Sequence, residues 1–214
     1  MFNLDFVSKI YGFWGKTAVI YNLSNLLTYL GKEKYLRWQL ISQLDLKGGS
    51  SVLDLACGNG SNFEIIQKFI DKTGHLYGFD YSKEMLQSAD KRVKRNSWKN
   101  VKLKQGDAAD LPYNNNSFDA VLSTLGISAI PDFISALNHA FRVLRKGGTM
   151  GILDAQLFKG FWRILNLPLK IIYTIGAAWD YTKDIIGEFK KRFSNIHLEK
   201  YNGGTLYILI GKKD

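Results

Sequence analysis

The sequence has 214 residues, of which 46% are hydrophobic and 22% are charged, a composition that excludes a disordered chain and fits one globular domain. Its one cysteine, Cys57, excludes an intramolecular disulfide, and no uncharged apolar run reaches the length of a membrane-spanning helix. The formal net charge of +10 leaves two interpretations open: a basic face for an anionic partner, or a lysine-rich surface with no partner.

The chain begins with apolar residues at helical spacing. They are Phe2, Phe6, Ile10, Phe13 and Trp14. Asp5 and Lys9 lie inside this run, and no small-residue cleavage site follows it, which does not fit a secretory signal. We therefore expect a cytoplasmic protein whose residues 1–48 form an N-terminal helical cap.

From residue 50 onward, short β-rich runs alternate with helical ones. The predicted strands cover residues 51–55, 75–79, 101–105, 118–123 and 149–153, and the intervening helices cover residues 62–72, a segment beginning near Ser82, and residues 132–144. This alternation indicates parallel βαβ units. After a further helix at 184–193, residues 195–200 and 204–211 predict an antiparallel hairpin. The expected fold is α/β, a Rossmann-like seven-stranded sheet with an antiparallel C-terminal hairpin.

We interpret residues 1–214 as a single domain with a core at 49–155, a lid at 156–183 and a final helix and hairpin at 184–214. The lid is aromatic and aliphatic, carries Lys159, Arg163 and Lys170, and has no acid between Asp154 and Asp180. Stretches of this kind bind at the interface of an anionic membrane. The alternative is a cap that packs its apolar face onto the fold, and both interpretations can hold together.

A glycine turn follows the first predicted strand. Gly58 and Gly60 let the backbone approach a ligand, and Asp80 lies twenty positions after Gly60, where a carboxylate accepts from both ribose hydroxyls. Both a dinucleotide and S-adenosylmethionine fit such a site. However, Phe63 replaces the third glycine of the dinucleotide motif, and Asp54 would repel a pyrophosphate but suits a methionine ammonium. The residues therefore favour S-adenosylmethionine.

Four motifs in this order resemble those of class I S-adenosylmethionine-dependent methyltransferases. They cover residues 52–60, 78–86, 105–121 and 142–148. The resemblance implies the seven-stranded methyltransferase sheet and S-adenosylmethionine as cofactor. It implies that Asp80 binds the ribose and that Tyr81 and Met85 flank the adenine. It implies that Asp107, beside Ala108, accepts from the adenine amino group and that Ser123 and Thr124 border the methionine. The cofactor turn would be formed by Asp54, Ala56, Gly58 and Gly60.

The acceptor has to be inferred from the segments around this core. Residues 123–128 lack the Asn/Asp-Pro-Pro-Tyr/Phe signature of enzymes that methylate base amines, so nucleic acid is not expected, and no His/Asp cluster indicates a metal. Residues 18–25 and 30–37 resemble the start of the UbiE-like C-methyltransferases of quinone biosynthesis and of the small bacterial phospholipid N-methyltransferases. Residues 125–132 resemble the Gly-Leu-Arg-Asn-x-Pro-Asp element of the quinone enzymes, with Ile127 and Ser128 in place of Leu-Arg.

The region after Asp154 is shorter than in the quinone enzymes and fits the phospholipid enzymes better. We therefore expect N-methylation of a phosphatidylethanolamine-type head group by a protein bound peripherally at the anionic inner membrane face. C-methylation of a quinone precursor, methylation of a soluble small molecule or RNA, and a non-catalytic cofactor-binding subunit stay open. Tyr11, Tyr21 and Tyr173 are the candidates to line the acceptor site. The oligomeric state is not indicated.

Overall fold

Seven strands form one sheet in the order β3-β2-β1-β4-β5-β7-β6. The computed structural model describes residues 3–7, 9–10, 31–158, 160–167, 170, 174 and 178–214. The strands are β1 Ser51–Leu55, β2 His75–Asp80, β3 Val101–Gln105, β4 Phe118–Thr124, β5 Leu144–Ala155, β6 Ser194–Tyr201 and β7 Leu206–Lys212. The first five run parallel, and β7 pairs antiparallel with both β5 and β6. The predicted α/β class and the seven-stranded sheet with its C-terminal hairpin are confirmed.

Helices cover both faces of this sheet. They are α1 Glu33–Ser42, α2 Phe63–Ile70, α3 Lys83–Arg95, α4 Phe133–Val143 and α5 Ile185–Lys190. Apolar residues of α1, α2 and α3 share one buried cluster with Val52 and Leu122, whereas α4 and α5 share the other with Leu53 and Val121. Neighbouring residues of β1 and β4 thus point to opposite faces, which is why both strands carry apolar residues at consecutive positions.

Three helices begin at residues that cap their free N–H groups. Ser82 Oγ accepts from Met85 N at 3.2 Å, Asp132 accepts from Ser135 N at 3.0 Å, and Asp184 accepts from Gly187 N at 2.9 Å. The caps place the start of α3 directly after β2. The helix predicted near Ser82 therefore begins where its cap indicated.

The fifth strand is longer than predicted. Leu144, which the sequence placed at the end of a helix, begins β5 and pairs with Phe118. Residues 146–148, Lys-Gly-Gly, are typical of a turn that ends a helix. In the structure they form an irregularity within β5, where Gly147 has φ +73°. Its N–H donates to Lys213 O at 2.6 Å.

Part of the N-terminal segment packs onto the core. Val7 is buried and, with Ile10 beside it, contacts Ala129 and Ala178. Phe2, Phe13 and Trp14 lie outside the described residues. Among the helices that the structure describes, none combines the length and apolarity needed to cross a bilayer. The division of the chain into cap, core and lid stays a prediction.

Candidate cofactor and acceptor site

The candidate site lies where the chain leaves β1 and β4 at their carboxyl ends. β1 is flanked by β2 and β4, so the strand order reverses here, and ligands of open α/β sheets bind at this point. The backbone is unusual on both sides of it. Ala56 has φ +55° and Leu125 has φ +52°, conformations that non-glycine residues adopt rarely and that concentrate at ligand sites.

The glycine turn after β1 is held by Asp80 from the end of β2. One carboxylate oxygen accepts from Gly58 N at 2.7 Å and the other from Ser82 N at 2.8 Å. Burial raises the pKa of Asp80, and these backbone hydrogen bonds oppose the rise. Gly58, with φ +55°, and Gly60, with φ +74°, occupy the left-handed region that the turn requires. Each oxygen of Asp80 keeps a second acceptor position for a ligand.

A buried polar network lies beneath this turn. Asp54 is fully buried, and both of its oxygens accept from Asn62 Nδ2 at 3.0 Å. Arg37 of α1 donates from one guanidinium nitrogen to Asn62 Oδ1 and to Thr124 Oγ1, each at 2.6 Å. Burial raises the pKa of Asp54 to about 7, although the Asn62 hydrogen bonds and the charge of Arg37 lower it. The network joins α1, β1, α2 and β4 around one carboxyl group.

Sequence reasoning missed Arg37 and Asn62. Arg37 lies on the apolar face of α1 with Leu36 and Ile41, and a charged residue in such a position is the signal that could have indicated a buried partner. Its Nε donates to Glu33 Oε1 at 3.0 Å, one turn earlier. Asn62 was interpreted only as the start of a helix.

Ser123 supplies a direct test of whether a ligand fits here. Its hydroxyl is fully buried and has no hydrogen-bond partner among the described residues. A Cβ built on Gly126 would come within 2.6 Å of both Ser123 Oγ and Ala56 Cβ, so glycine keeps this corner open. Buried hydroxyls are normally paired, and this one fits the polar end of a ligand such as the methionine of S-adenosylmethionine.

The structure brings most of the predicted cofactor residues together. Asp54, Ala56, Gly58, Gly60, Asp80, Ser123 and Thr124 surround the ends of β1, β2 and β4. The residues predicted to contact the adenine differ in how exposed their side chains are. Asp107 is half-buried and caps Ala109 N at 2.9 Å, Tyr81 is exposed, and Met85 and Ala108 are buried in the core. The ligand roles of these residues stay predictions.

A second buried carboxylate lies at the end of β5. Asp154 is fully buried and accepts from Ser128 N at 3.0 Å, Ser128 Oγ at 2.7 Å and Ala155 N at 2.8 Å. Lys183 Nζ donates to the carbonyls of Ser128 and Ile130 at 2.8 and 2.7 Å. Burial raises the pKa of Asp154, opposed by these hydrogen bonds and by the charge of Lys183. Burial also lowers the pKa of Lys183.

This cluster lies beside the loop after β4 that the sequence assigned to the acceptor. The same loop carries Ala129, against which Val7 of the N-terminal segment packs. The predicted acceptor residues Tyr11, Tyr21 and Tyr173 lie outside the described residues. Asp154, Ser128 and Lys183 are therefore polar groups that the described structure places beside this loop.

The sequence was compared with known families and proteins. The profile of the methyltransferase domain family matches residues 46–195. The demethylmenaquinone methyltransferase of Lactobacillus johnsonii is 35% identical over 148 residues, which are 69% of this chain and 61% of that protein. The chloroplastic 2-phytyl-1,4-beta-naphthoquinone methyltransferase of Arabidopsis thaliana is 30% identical over 182 residues, 79% of this chain and 70% of that protein.

Among solved structures, the phosphoethanolamine N-methyltransferase 2 of Haemonchus contortus, in complex with S-adenosyl-L-methionine, superposes with a TM-score of 0.71. The two are 19% identical, and the match covers 84% of this chain and 52% of the other. This likeness shows the fold alone. The resemblance to class I and UbiE-like enzymes is confirmed by the family match and the relatives. The chain belongs to the methyltransferase domain family and is an S-adenosylmethionine-dependent methyltransferase.

Proposed function

We propose that this enzyme methylates a ring carbon of a lipophilic naphthoquinol, the reduced form of a naphthoquinone. The observation that carries the proposal is the identity to enzymes named for demethylmenaquinone and for 2-phytyl-1,4-beta-naphthoquinone. The chain spans 61% of the first of these relatives, so the acceptor is inferred for the matched part. These relatives support the quinone alternative better than the phospholipid N-methylation that the short tail favoured, and this replaces our first expectation.

The cofactor residues receive the following roles in this proposal. Asp80 accepts from the ribose hydroxyls while it holds Gly58, and the unpaired Ser123 hydroxyl bonds the methionine end. Asp54 in its ionised form attracts the methionine ammonium, and Asp107 accepts from the adenine amino group. S-adenosylmethionine supplies, when bound, a methyl group already activated on a sulfonium. What remains for the chain is to orient the acceptor and exclude water.

At the acceptor end, we assign the polar contacts to the cluster around Asp154. Carbon methylation needs an electron-rich ring, which a quinol gains when one hydroxyl loses its proton. Lys183 places a positive charge beside the buried Asp154–Ser128 pair at the end of β5, because its Nζ donates to Ser128 O at 2.8 Å. The relatives named for demethylmenaquinone and for 2-phytyl-1,4-beta-naphthoquinone support a lipophilic acceptor. The apolar tail of such an acceptor lies in a bilayer, so the enzyme would work peripherally at the inner membrane face.

The experiment that tests the proposal offers both acceptors to the purified enzyme. Short-chain demethylmenaquinol kept reduced and phosphatidylethanolamine vesicles are each incubated with isotopically labelled S-adenosylmethionine, and the products are identified by mass spectrometry. We expect label on the naphthoquinone ring and none on the lipid. Label on the lipid amine alone would restore phospholipid N-methylation and overturn the proposal. Asp80→Ala serves as the inactive control.

The Asp154 cluster is tested with Asp154→Asn and Lys183→Gln. Both should lower kcat for the quinol and move the pH profile of kcat/KM, because the charges that set the acceptor's protonation change. Binding of S-adenosylmethionine should stay the same, since the cluster lies outside the cofactor turn. Equal losses of thermal stability and activity with an unmoved pH profile would make the cluster merely structural.

A further inference from the structure

A short loop after β5 exposes an unusual number of apolar side chains. Residues 160–167 form a 3-10 turn over Gly160–Leu165 and its continuation. Five apolar residues of this segment are exposed: Phe161 at 86%, Ile164 at 78%, Leu167 at 68%, Trp162 at 56% and Leu165 at 43%. We call residues 160–167 the apolar loop. Isolated exposed apolar residues are ordinary, but a contiguous group marks an interaction surface.

The base of the apolar loop is fixed to the fold. Asn166 is buried; its side chain accepts from Phe158 N at 2.9 Å and donates to Phe158 O at 3.0 Å. Just before it, Gln156 N donates to Thr205 O, and Gln156 Nε2 donates to Gly204 O, each at 2.8 Å. The ring of Phe158 lies against Gly203. The chain therefore closes a loop on the β6–β7 hairpin and presents its apolar side chains outward.

The charged residues within the apolar loop and next to it in the sequence are basic. Arg163 is exposed within it, and Lys170 Nζ lies 4.5 Å from the centre of the Tyr181 ring. The sequence has no acidic residue between Asp154 and Asp180. Lys159, which also belongs to this stretch, lies outside the described residues. An apolar tip with basic flanks is complementary to a surface that is apolar inside and anionic outside.

We propose that the apolar loop inserts into the interface of an anionic lipid bilayer. The five side chains project from one short segment and are largely exposed, which suits a deformable lipid phase better than a protein surface of fixed shape. Phe161 and Trp162 meet edge to face, with ring centres 5.8 Å apart, and enter together at the level of the head groups. The inference rests on the proposed function, because a bilayer is where a lipophilic acceptor would be met.

The experiment measures binding of the intact enzyme to vesicles, without turnover. Wild type and Phe161→Ser/Ile164→Ser are sedimented with vesicles of phosphatidylcholine alone or mixed with phosphatidylglycerol. We expect wild type to bind the anionic vesicles and the double variant to bind at least about tenfold more weakly. Tyr35→Ser/Ile134→Ser, which removes two exposed apolar side chains elsewhere, should bind like wild type.

A second arm separates the apolar from the electrostatic contribution. Arg163→Gln should weaken binding to anionic vesicles about fivefold and leave binding to phosphatidylcholine unchanged. Unaltered binding of Phe161→Ser/Ile164→Ser, or no binding by wild type, would overturn the inference. A loss of self-association by light scattering, with vesicle binding intact, would assign the loop to a second copy of the chain and overturn it as well.

The failure of this inference can be told apart from the failure of the proposed function. Short-chain soluble demethylmenaquinol should be methylated equally by wild type and by the double variant, because the loop does not line the cofactor turn. If wild type methylates no quinol and still binds anionic vesicles through the loop, the acceptor is wrong and the surface stands. If it methylates quinol and binds no vesicle, the surface is wrong and the acceptor stands.

Discussion

The sequence predicts one task for Asp80, and the structure shows a second one. Its spacing from the glycine turn indicates a ribose ligand, whereas the structure shows that it also fastens the turn through Gly58 and the start of α3 through Ser82. A carboxylate suits both tasks because it accepts up to four hydrogen bonds. Loss of Asp80 should therefore affect the ligand and the loop that receives it.

Replacing Asp80 by alanine should weaken S-adenosylmethionine binding by at least about tenfold. Hydrogen bonds to a charged group contribute about 1.5–3 kcal/mol each, and the turn loses its anchor in addition. Titration calorimetry of the purified variant measures the effect. Asp110→Asn, a change at an exposed carboxylate of the neighbouring loop, is the matched control and should bind like wild type. Equal affinities for all three proteins would remove Asp80 from the cofactor site.

The Asp54 carboxyl should make stability depend on pH in the direction opposite to an ordinary salt bridge. Its pKa is raised from 3.8 to about 7, so between these values the folded chain holds a proton that the unfolded chain has released. The free energy of unfolding therefore falls as the pH rises through this window. Asp54→Asn removes that contribution.

Urea unfolding without cofactor checks this expectation. Relative to wild type, Asp54→Asn should gain stability as the pH rises from about 4 to about 7, whereas Asp110→Asn should keep a constant difference. The comparison between variants is needed because burial also raises the pKa values of Asp80 and Asp154. A difference that is flat with pH would mean that Asp54 is ionised throughout.

Single residues show where sequence reasoning succeeds and where it stops. The positions of Gly58, Gly60 and Asp80 around one turn were predicted because they depend on local spacing, which a strand, a turn and a helix convert directly into geometry. Arg37 was not found because its partner Asn62 lies 25 residues away, on another helix. Which side chains meet across two packed elements is set by helix orientation, and a single sequence does not contain that orientation.

Helix α1 is attached to the cofactor site through Arg37. Its apolar residues pack on the sheet, and the guanidinium reaches past them to Asn62 and Thr124. Its loss would leave three polar groups, Asp54 among them, without their buried cation. Helix α1 therefore both covers one face of the sheet and borders the candidate site.

Arg37→Met should lower the melting temperature by about 6–12 °C. Removing one partner of a buried charged network costs about 3 kcal/mol, and one kcal/mol corresponds to about 2–4 °C for a chain of this size. Lys34→Met, an exposed change on the same helix, should leave the melting temperature within about 2 °C of wild type. Differential scanning calorimetry compares them, and similar curves for both variants would mean that Arg37 contributes no net stability.

The bounds of the strands and helices were predicted well where the pattern of apolar residues was uninterrupted. β1, β2 and β3 have strong alternating or continuous apolar patterns, and their predicted bounds lie within a residue of the observed ones. The start of β5 was wrong because two glycines, read as a stop signal, form an irregularity inside a strand whose partner is distant in sequence. Tertiary pairing overrode the local signal at that position.

Binding of cofactor should stabilise the molecule as a whole. At a concentration about one hundred times the Kd, a ligand that binds only the folded state adds about 2.7 kcal/mol, or about 5–11 °C in melting temperature. Thermal scans with S-adenosylmethionine measure this directly. NAD at the same concentration should produce no shift, because Phe63 and Asp54 oppose its pyrophosphate. A larger shift with NAD would contradict the assignment of the glycine turn.

The acceptor was the least predictable property of the molecule. The sequence predicted a lipophilic methyl acceptor and gave the short tail more weight than the quinone-like loop after β4. The relatives reverse that weighting. Substrate choice depends on a few side chains around the core, and a single sequence does not report which of its residues contact the acceptor.

The position of β7 between β5 and β6 has a consequence for synthesis. β6 leaves the ribosome before β7, yet β7 is its one sheet partner among the described residues, so β6 cannot join the sheet in the order in which it is made. Until β7 inserts, β5 is an open edge of the sheet, and its apolar residues Ile152 and Leu153 lack the cover of β7 on either face. A nascent chain halted after Tyr201 should therefore be a client of chaperones, whereas a few residues more, through Lys212, close the sheet in a single step.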